Sequence, residues 1–280
     1  MRGEPNSSSA RPSLFTRLRE HELTSRVASA FGLALLALGA TAWGGAAFAV
    51  FWAAASVFFL AEFLVMVAYK PLVVGIAVGG LGLAGSALIL LQPGALPVGL
   101  AVIGLAGLVM AACAAGSAAR YLSVAGLVYA ACVALPVILI RSQPLHGLAA
   151  TLWLYAVVWA TDIGAYFVGR SLGGPKLWPR ISPKKTWSGL VGGTLIGVGA
   201  ASLANLCWPV LPLSAGAVAG ISSLASLAAH AGDLMESALK RRYSIKDSSQ
   251  LIPGHGGFMD RLDGFAAASI VIALALRIAV

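Results

Sequence analysis

The sequence predicts an all-α, polytopic integral membrane protein, a single bundle of about nine transmembrane helices. Two observations carry that prediction. Hydrophobic residues make up 59% of the 280 and charged residues only 10%, with a mean hydropathy of +0.89, whereas soluble domains carry charge on about a quarter of their residues. The apolar runs also recur at close to the length, about 20 residues, that a helix needs to cross a bilayer.

The elements follow from apolar runs punctuated by charge, proline and glycine. Residues 1–26 mix arginines with Glu4, Glu20 and Glu22; they lack the short basic region and small-residue cleavage site of a secretory leader and read as a cytosolic tail. From residue 13 this tail has the character of an interfacial helix, with residues 1–12 disordered. Spans are then expected near 27–43, 46–69, 71–91, 95–118, 121–140, 147–168, 187–207, 210–231 and 264–280. With the N-terminus cytosolic, alternation puts Lys70, Arg120 and the basic segments after residues 169 and 239 on the cytosolic side. This satisfies the positive-inside rule except at Arg141.

Charge divides the chain. Eight charged residues lie in 1–26, four in 27–161 (Glu62, Lys70, Arg120, Arg141), sixteen in 162–263 and one, Arg277, beyond. Residues 27–161 therefore read as an N-terminal membrane scaffold and 162–280 as the region holding the chemistry, with charged cytosolic loops at 169–186 and 232–263. The net charge of +9 is explained by orientation in the membrane, so no nucleic acid partner is expected. Cys113, Cys132 and Cys207 sit in apolar runs without metal or redox spacing and read as packing residues. The small-xxx-small pairs Gly75/Gly79 and Gly193/Gly197 suit close helix packing, with a dimer contact as the alternative.

An ionisable group inside a span costs at least about 2.5 kcal/mol, so each needs a reason. Asp162 is expected to face a wet cavity near the cytosolic end of its span, with an interfacial anchor as the bland reading. Glu62 reads as structural, paired with Lys70 or another base. The segment 169–189 offers Arg170, Lys176, Arg180, Lys184 and Lys185 among glycines and prolines. Ser182, Lys184, Lys185 and Thr186 immediately precede a span, where hydroxyl and ammonium groups at a helix N-terminus suit an anion. Asp233 and Glu236 share a face if their helix continues, and Asp260 and Asp263 show the same spacing. Carboxylates converging at a membrane surface repel unless a cation lies among them, and Mg2+ is the expected ion. Salt bridging to Lys240 and Arg261 is the alternative. His255, before two glycines, is either a functional base or a residue holding the turn.

Residues 237–263 carry a Ser, Leu239, Lys240, Arg241, Lys246, Asp247, Pro253, His255, Gly256, Gly257, Asp260, Arg261 and Asp263. At these positions the chain resembles the signature of the phosphatidate cytidylyltransferase, or CDP-diacylglycerol synthase, family. The likeness extends to DIGAYFVGR (162–170), ISPKKTWSG (181–189) and AGDLMES (231–237). It covers about the C-terminal 120 residues; a fixed-spacing pattern of this length is specific. The N-terminal half contributes only hydropathy.

The resemblance implies a Mg2+-dependent transfer of CMP from CTP to phosphatidic acid, giving CDP-diacylglycerol and pyrophosphate, in a multi-pass bundle whose site opens to the cytosol. It implies metal ligation by Asp233, Asp260 and Asp263, and associates K+ with the site, although no residue here shows that ion. Lys240, Arg241, Lys246, Lys184 and Lys185 are expected to hold phosphates, with Asp162, Ser182, Thr186, Asp247, His255 and Arg261 around the substrates. CTP, phosphatidic acid and membrane lipid are the expected partners, a homodimer is an open possibility, and a bacterial cytoplasmic membrane is the expected location. A CDP-alcohol transferase lacks support because its DG-AR-G-D-D arrangement is absent. A solute transporter would not explain why most charges lie in two extended loops, and no inverted repeat is evident. A lipid-binding scaffold without chemistry would leave the aspartates dispensable.

Overall fold

A computed structural model describes residues 14–207, 213–252 and 256–279, with side chains described from residue 28 to residue 277 within those ranges. Among the described residues it contains the helices α1 (Leu14–Trp43), α2 (Gly45–Met66), α3 (Leu72–Ile89), α4 (Leu96–Cys113), α5 (Ser117–Arg141), α6 (Gly147–Leu172), α7 (Trp187–Cys207), α8 (Ala215–Arg242) and α9 (Met259–Ala279). The strands β1 (Lys176–Trp178) and β2 (Ser182–Thr186) lie between α6 and α7. Seven helices, α2 to α8, are long and apolar enough to cross a membrane by length and composition. The stretch of α1 with described side chains, Ala28–Trp43, is apolar but shorter, and α9 begins with Asp260 in its first turn and ends with Arg277 in its last. The expected tail residues 1–12 lie outside the described residues.

The core runs through α2, α5, α6 and α9. Phe59, Leu60, Leu127, Ile138, Trp153, Leu154 and Met259 are almost completely buried. Trp52 of α2 stacks on Phe265 of α9 with ring centroids 4.5 Å apart, and Phe58 stacks on Phe258 at 5.0 Å. These contacts join the first half of the chain to the start of its last helix.

The glycine pairs are spent inside the chain. A Cβ at Gly193 would stand 2.7 Å from the Thr161 carbonyl oxygen, and one at Gly197 would collide with the Thr161 hydroxyl, so α6 and α7 approach at backbone distance. Gly75 and Gly79 likewise admit Tyr69, Leu60 and Met110. At this crossing the Thr161 hydroxyl donates to Ser226 (2.9 Å) and that of Ser226 to Thr194 (3.1 Å), satisfying polar groups that hydrocarbon would leave unpaired.

Arg141, the exception to the charge rule, has a local use. Its Nε donates to the Thr41 carbonyl at 2.8 Å, near the C-terminus of α1, where unpaired carbonyls favour a cation. The guanidinium lies against Gly44, whose φ of +73° and lack of a Cβ leave room for it.

Two expectations change. The segment 169–186 is not wholly loop: β1 and β2 pair antiparallel, Lys176 with Thr186 and Trp178 with Ser182, because the prolines at 175, 179 and 183 deny a helix its donors. The last two helices also extend beyond their apolar runs. α8 continues through Asp233 and Glu236 to Arg242, ending in three basic residues that complement its dipole, while α9 takes Asp260 and Asp263 into its first turns. Gly193→Leu is expected to destabilise the protein by about 2 kcal/mol through overpacking at the α6–α7 crossing. An unchanged thermal unfolding midpoint in detergent would refute that packing role.

Candidate active site

A cavity of about 1200 Å3 is walled by α1, α2, α6, the β hairpin, α8 and α9. Its two sides differ in chemistry. Leu33, Ala34 and Ala37 of α1, Phe51 and Trp52 of α2, and Val158 and Trp159 of α6 give an apolar wall. Asp162, Arg170, Lys176, Lys184, Lys185, His230, Asp233, Arg261 and Asp263 give a charged one.

The acidic side is built by a helix crossing. A Cβ at Gly232 would stand 2.6 Å from the Asp263 carbonyl oxygen, and one at Gly264 would stand 3.0 Å from that of Ala229. The glycines therefore let α8 and α9 touch at backbone distance, which brings their neighbours Asp233 and Asp263 together. Glu236, one turn after Asp233 and behind the cavity wall rather than in it, completes the group: one carboxylate oxygen from each of the three lies within 4.8 Å of the others. Glu236 and Asp263 are buried, and Glu236 Oε1 has no hydrogen-bond partner. Three carboxylates this close in a low-dielectric setting repel one another strongly. Lys185 of β2 offsets part of this by pairing with Asp233 at 2.5 Å, and Lys240 pairs with Glu236 at 2.7 Å. A buried carboxylate oxygen without a donor, among three acids, fits a hard cation that takes oxygen ligands.

A second polar centre lies beside the first. Lys240 also pairs with Asp260 at 2.5 Å, so one ammonium group ties α8 to α9. Asp260 Oδ2 accepts hydrogen bonds from the Ser248 amide (3.0 Å) and the Gly257 amide (2.8 Å), and shares the single hydroxyl hydrogen of Ser248 (2.9 Å) with Glu62. Glu62, on α2 and 3% exposed, accepts from the hydroxyls of Ser248 (2.9 Å) and Ser249 (2.6 Å) and from the amides of Phe258 (3.0 Å) and Met259 (2.8 Å). It therefore caps the N-terminus of α9 from a distant part of the sequence, using donors that a helix leaves unsatisfied. The expected pairing of Glu62 with Lys70 gives way to these amide and hydroxyl donors.

Asp162, Lys184, Lys185, Thr186, Asp233, Asp260, Arg261 and Asp263 all border the one cavity. Thr186 also caps α7, its hydroxyl accepting from the Gly189 amide at 3.1 Å. Among the described residues, Ser182, Lys240, Arg241, Lys246 and Asp247 are not part of the cavity wall. Ser182 sits opposite Trp178 in the hairpin. Arg241 instead reaches the Ile181 and Ile245 carbonyls at 3.4 Å each, and Lys246 and Asp247 are exposed beyond α8. His255 lies outside the described residues. Asp260, grouped by sequence with Asp233 and Asp263, is engaged by Lys240 and loop donors, while Glu236 takes the third place in the acidic group. The sequence marks Glu62 as a lone carboxylate in the apolar run of α2, and it gives no signal that Ser248 and Ser249 are its partners.

Replacing Lys240 with Met leaves Glu236 and Asp260 without their shared ammonium, a loss expected to destabilise the protein by about 3 kcal/mol. Thermal unfolding in detergent measures it, and an unchanged midpoint would show that the bridge is dispensable.

The Brucella suis biovar 1 (strain 1330) protein named phosphatidate cytidylyltransferase is 46% identical over 142 residues, covering 50% of this chain and 52% of that protein. Its namesake from Bacillus subtilis (strain 168) is 46% identical over 126 residues, covering 45% and 46%. The Haemophilus influenzae protein of that name is 42% identical over 135 residues, covering 45% of each chain. The aligned part spans about half the length of these curated relatives. A model of the cytidylyltransferase family matches residues 24–279, taking in every helix from the first apolar stretch to the last, and the chain belongs to that family.

Proposed function

We propose that this protein transfers CMP from CTP to phosphatidic acid, forming CDP-diacylglycerol and releasing pyrophosphate. The single observation that carries this reading is the two-sided cavity, whose apolar wall suits acyl chains and whose charged wall suits phosphates. The names of the relatives point to the same substrates. In the reaction a phosphate oxygen of phosphatidic acid attacks the α-phosphorus of CTP. The new phosphorus–oxygen bond forms as the α–β phosphoanhydride bond breaks, and its electron pair leaves with pyrophosphate. The attacking oxygen is already anionic, so a nucleophilic side chain is not required; positioning and charge neutralisation are the protein's task.

Asp233, Glu236 and Asp263 are the residues suited to hold Mg2+. Bound there, the ion supplies Lewis-acid stabilisation of phosphate charge. Lys184, Lys185 and Arg261 border the same space and are assigned to phosphate oxygens. Lys185 is paired with Asp233, and its ammonium would be free to meet phosphate oxygens if Asp233 held the ion. Asp260 and Lys240 are assigned to holding the first turn of α9 rather than to the metal. We assign the site to the cytosolic face of a bacterial cytoplasmic membrane, where a soluble nucleotide and a bilayer lipid both arrive; the basic residues gathered at that end of the helices are what supports it.

The test is detergent-solubilised protein with labelled CTP, phosphatidic acid and Mg2+, run with and without K+ and read as lipid-linked label and pyrophosphate. Asp233→Asn is expected to lower turnover by at least about 100-fold while the protein stays folded. Near-normal turnover in that variant would remove Asp233 from the chemistry, and solute flux without lipid labelling would favour a transporter. Glu236→Gln is expected to raise the Mg2+ concentration needed for half-maximal activity by at least about tenfold. An unchanged requirement would exclude it as a ligand.

A further inference from the structure

We infer that Glu62 of α2 is a positioning residue for the active site, holding the segment before α9 and the first turn of that helix so that Arg261 and Asp263 stand at the cavity wall. Its effect on turnover rests on the transfer reaction proposed above; its hold on the segment does not.

Every group that touches the Glu62 carboxylate in these hydrogen bonds is a donor: two serine hydroxyls and two backbone amides. The amides of Phe258 and Met259 lie at the start of α9, and Arg261 and Asp263 follow within its first turns. The Ser248 hydroxyl touches the carboxylates of both Glu62 and Asp260, so the α2 carboxylate is coupled to the Lys240 bridge through one side chain. The space is closed as well. A Cβ at Gly257 would collide with the Ser248 hydroxyl and with both Glu62 oxygens, so the backbone before α9 packs directly on the carboxylate. Glu62 itself does not border the cavity. Its influence on the reaction is therefore exerted through what it holds, across 197 positions of sequence to Met259.

The donor pattern makes a sharp distinction between variants. Gln offers one acceptor oxygen and presents an NH2 group to donors, so Glu62→Gln breaks part of the set, whereas Glu62→Asp keeps both acceptors on a shorter stem. Displacement of about 1 Å at a reacting site costs on the order of 100-fold in rate. Glu62→Gln is accordingly expected to reduce kcat by at least about 30-fold, with KM for CTP changed less than about threefold and Glu62→Asp recovering part of the loss. Ser248→Ala added to Glu62→Gln is expected to cost less than the product of the single effects, because both variants break the same contact.

Hydrogen–deuterium exchange on full-length protein in detergent reads the positioning role without any reaction. Amides of residues 248–252 and 256–259 are expected to exchange at least about tenfold faster in Glu62→Gln, with those of α3 and α4 unchanged. Unchanged exchange in 248–252 and 256–259 overturns the inference, as does uniform acceleration throughout the chain. Faster local exchange with kcat intact overturns the link to turnover. If Glu62→Gln does not fold, Ser249→Ala, which removes one donor, is read the same way. A wild-type protein that fails to label lipid, but whose Glu62→Gln variant shows the local exchange change, contradicts the proposed reaction and leaves the positioning role standing.

Discussion

An ionised group in an apolar bundle is stable only where opposite charges or hydrogen-bond donors surround it, and that requirement organises the functional end of this molecule. Lys240, placed between Glu236 and Asp260, meets it for two acids at once and in doing so fastens α8 to α9. Glu62 meets it with hydroxyl and amide donors and fastens α2 to the same place. The geometry of the cavity depends on these pairings, because Asp233, Arg261 and Asp263 project from the helix segments that they hold. Glycine contributes the complementary condition: Gly232 and Gly264 let the two helix backbones meet closely enough for acids on different helices to form one group.

This arrangement separates two kinds of acidic residue. Asp260 and Glu62 are saturated with donors and serve the framework. Asp233, Glu236 and Asp263 are crowded together, with one buried Glu236 oxygen unpartnered, and serve the chemistry proposed here. Lys185 and Lys240 temper the repulsion within the second group without saturating it. In the proposed reaction a cation would complete this set, with the neighbouring basic residues facing the phosphates.

The order and approximate extent of the helices were legible because hydropathy is a local property, readable wherever an apolar run meets a charge or a proline. The acids of AGD and DRLD stood out as candidates through their spacing and the family signature around them. Which of them crowd into one carboxylate group was not legible, since spacing alone gives Asp260 and Asp263 equal standing; the close approach at Gly232 brings Asp263 to Asp233 and Glu236. The double role of Lys240 was hidden because one of its two buried partners, Asp260, comes from another helix. Glu62 was visible as an anomaly in α2, but its donors lie at Ser248, Ser249, Phe258 and Met259, and no local pattern links them. The hairpin at 176–186 was hidden by its brevity within a segment rich in proline and glycine.

The central claim is that Asp233, Glu236 and Asp263 hold a divalent ion against the phosphates of a nucleotide in the cavity. Electron–nuclear double resonance on Mn2+-loaded protein with bound CTP measures this directly, through phosphorus coupling to the metal. The account predicts a 31P coupling in the wild-type protein that disappears in Asp263→Asn. The same coupling in both proteins would place the ion elsewhere and contradict the account.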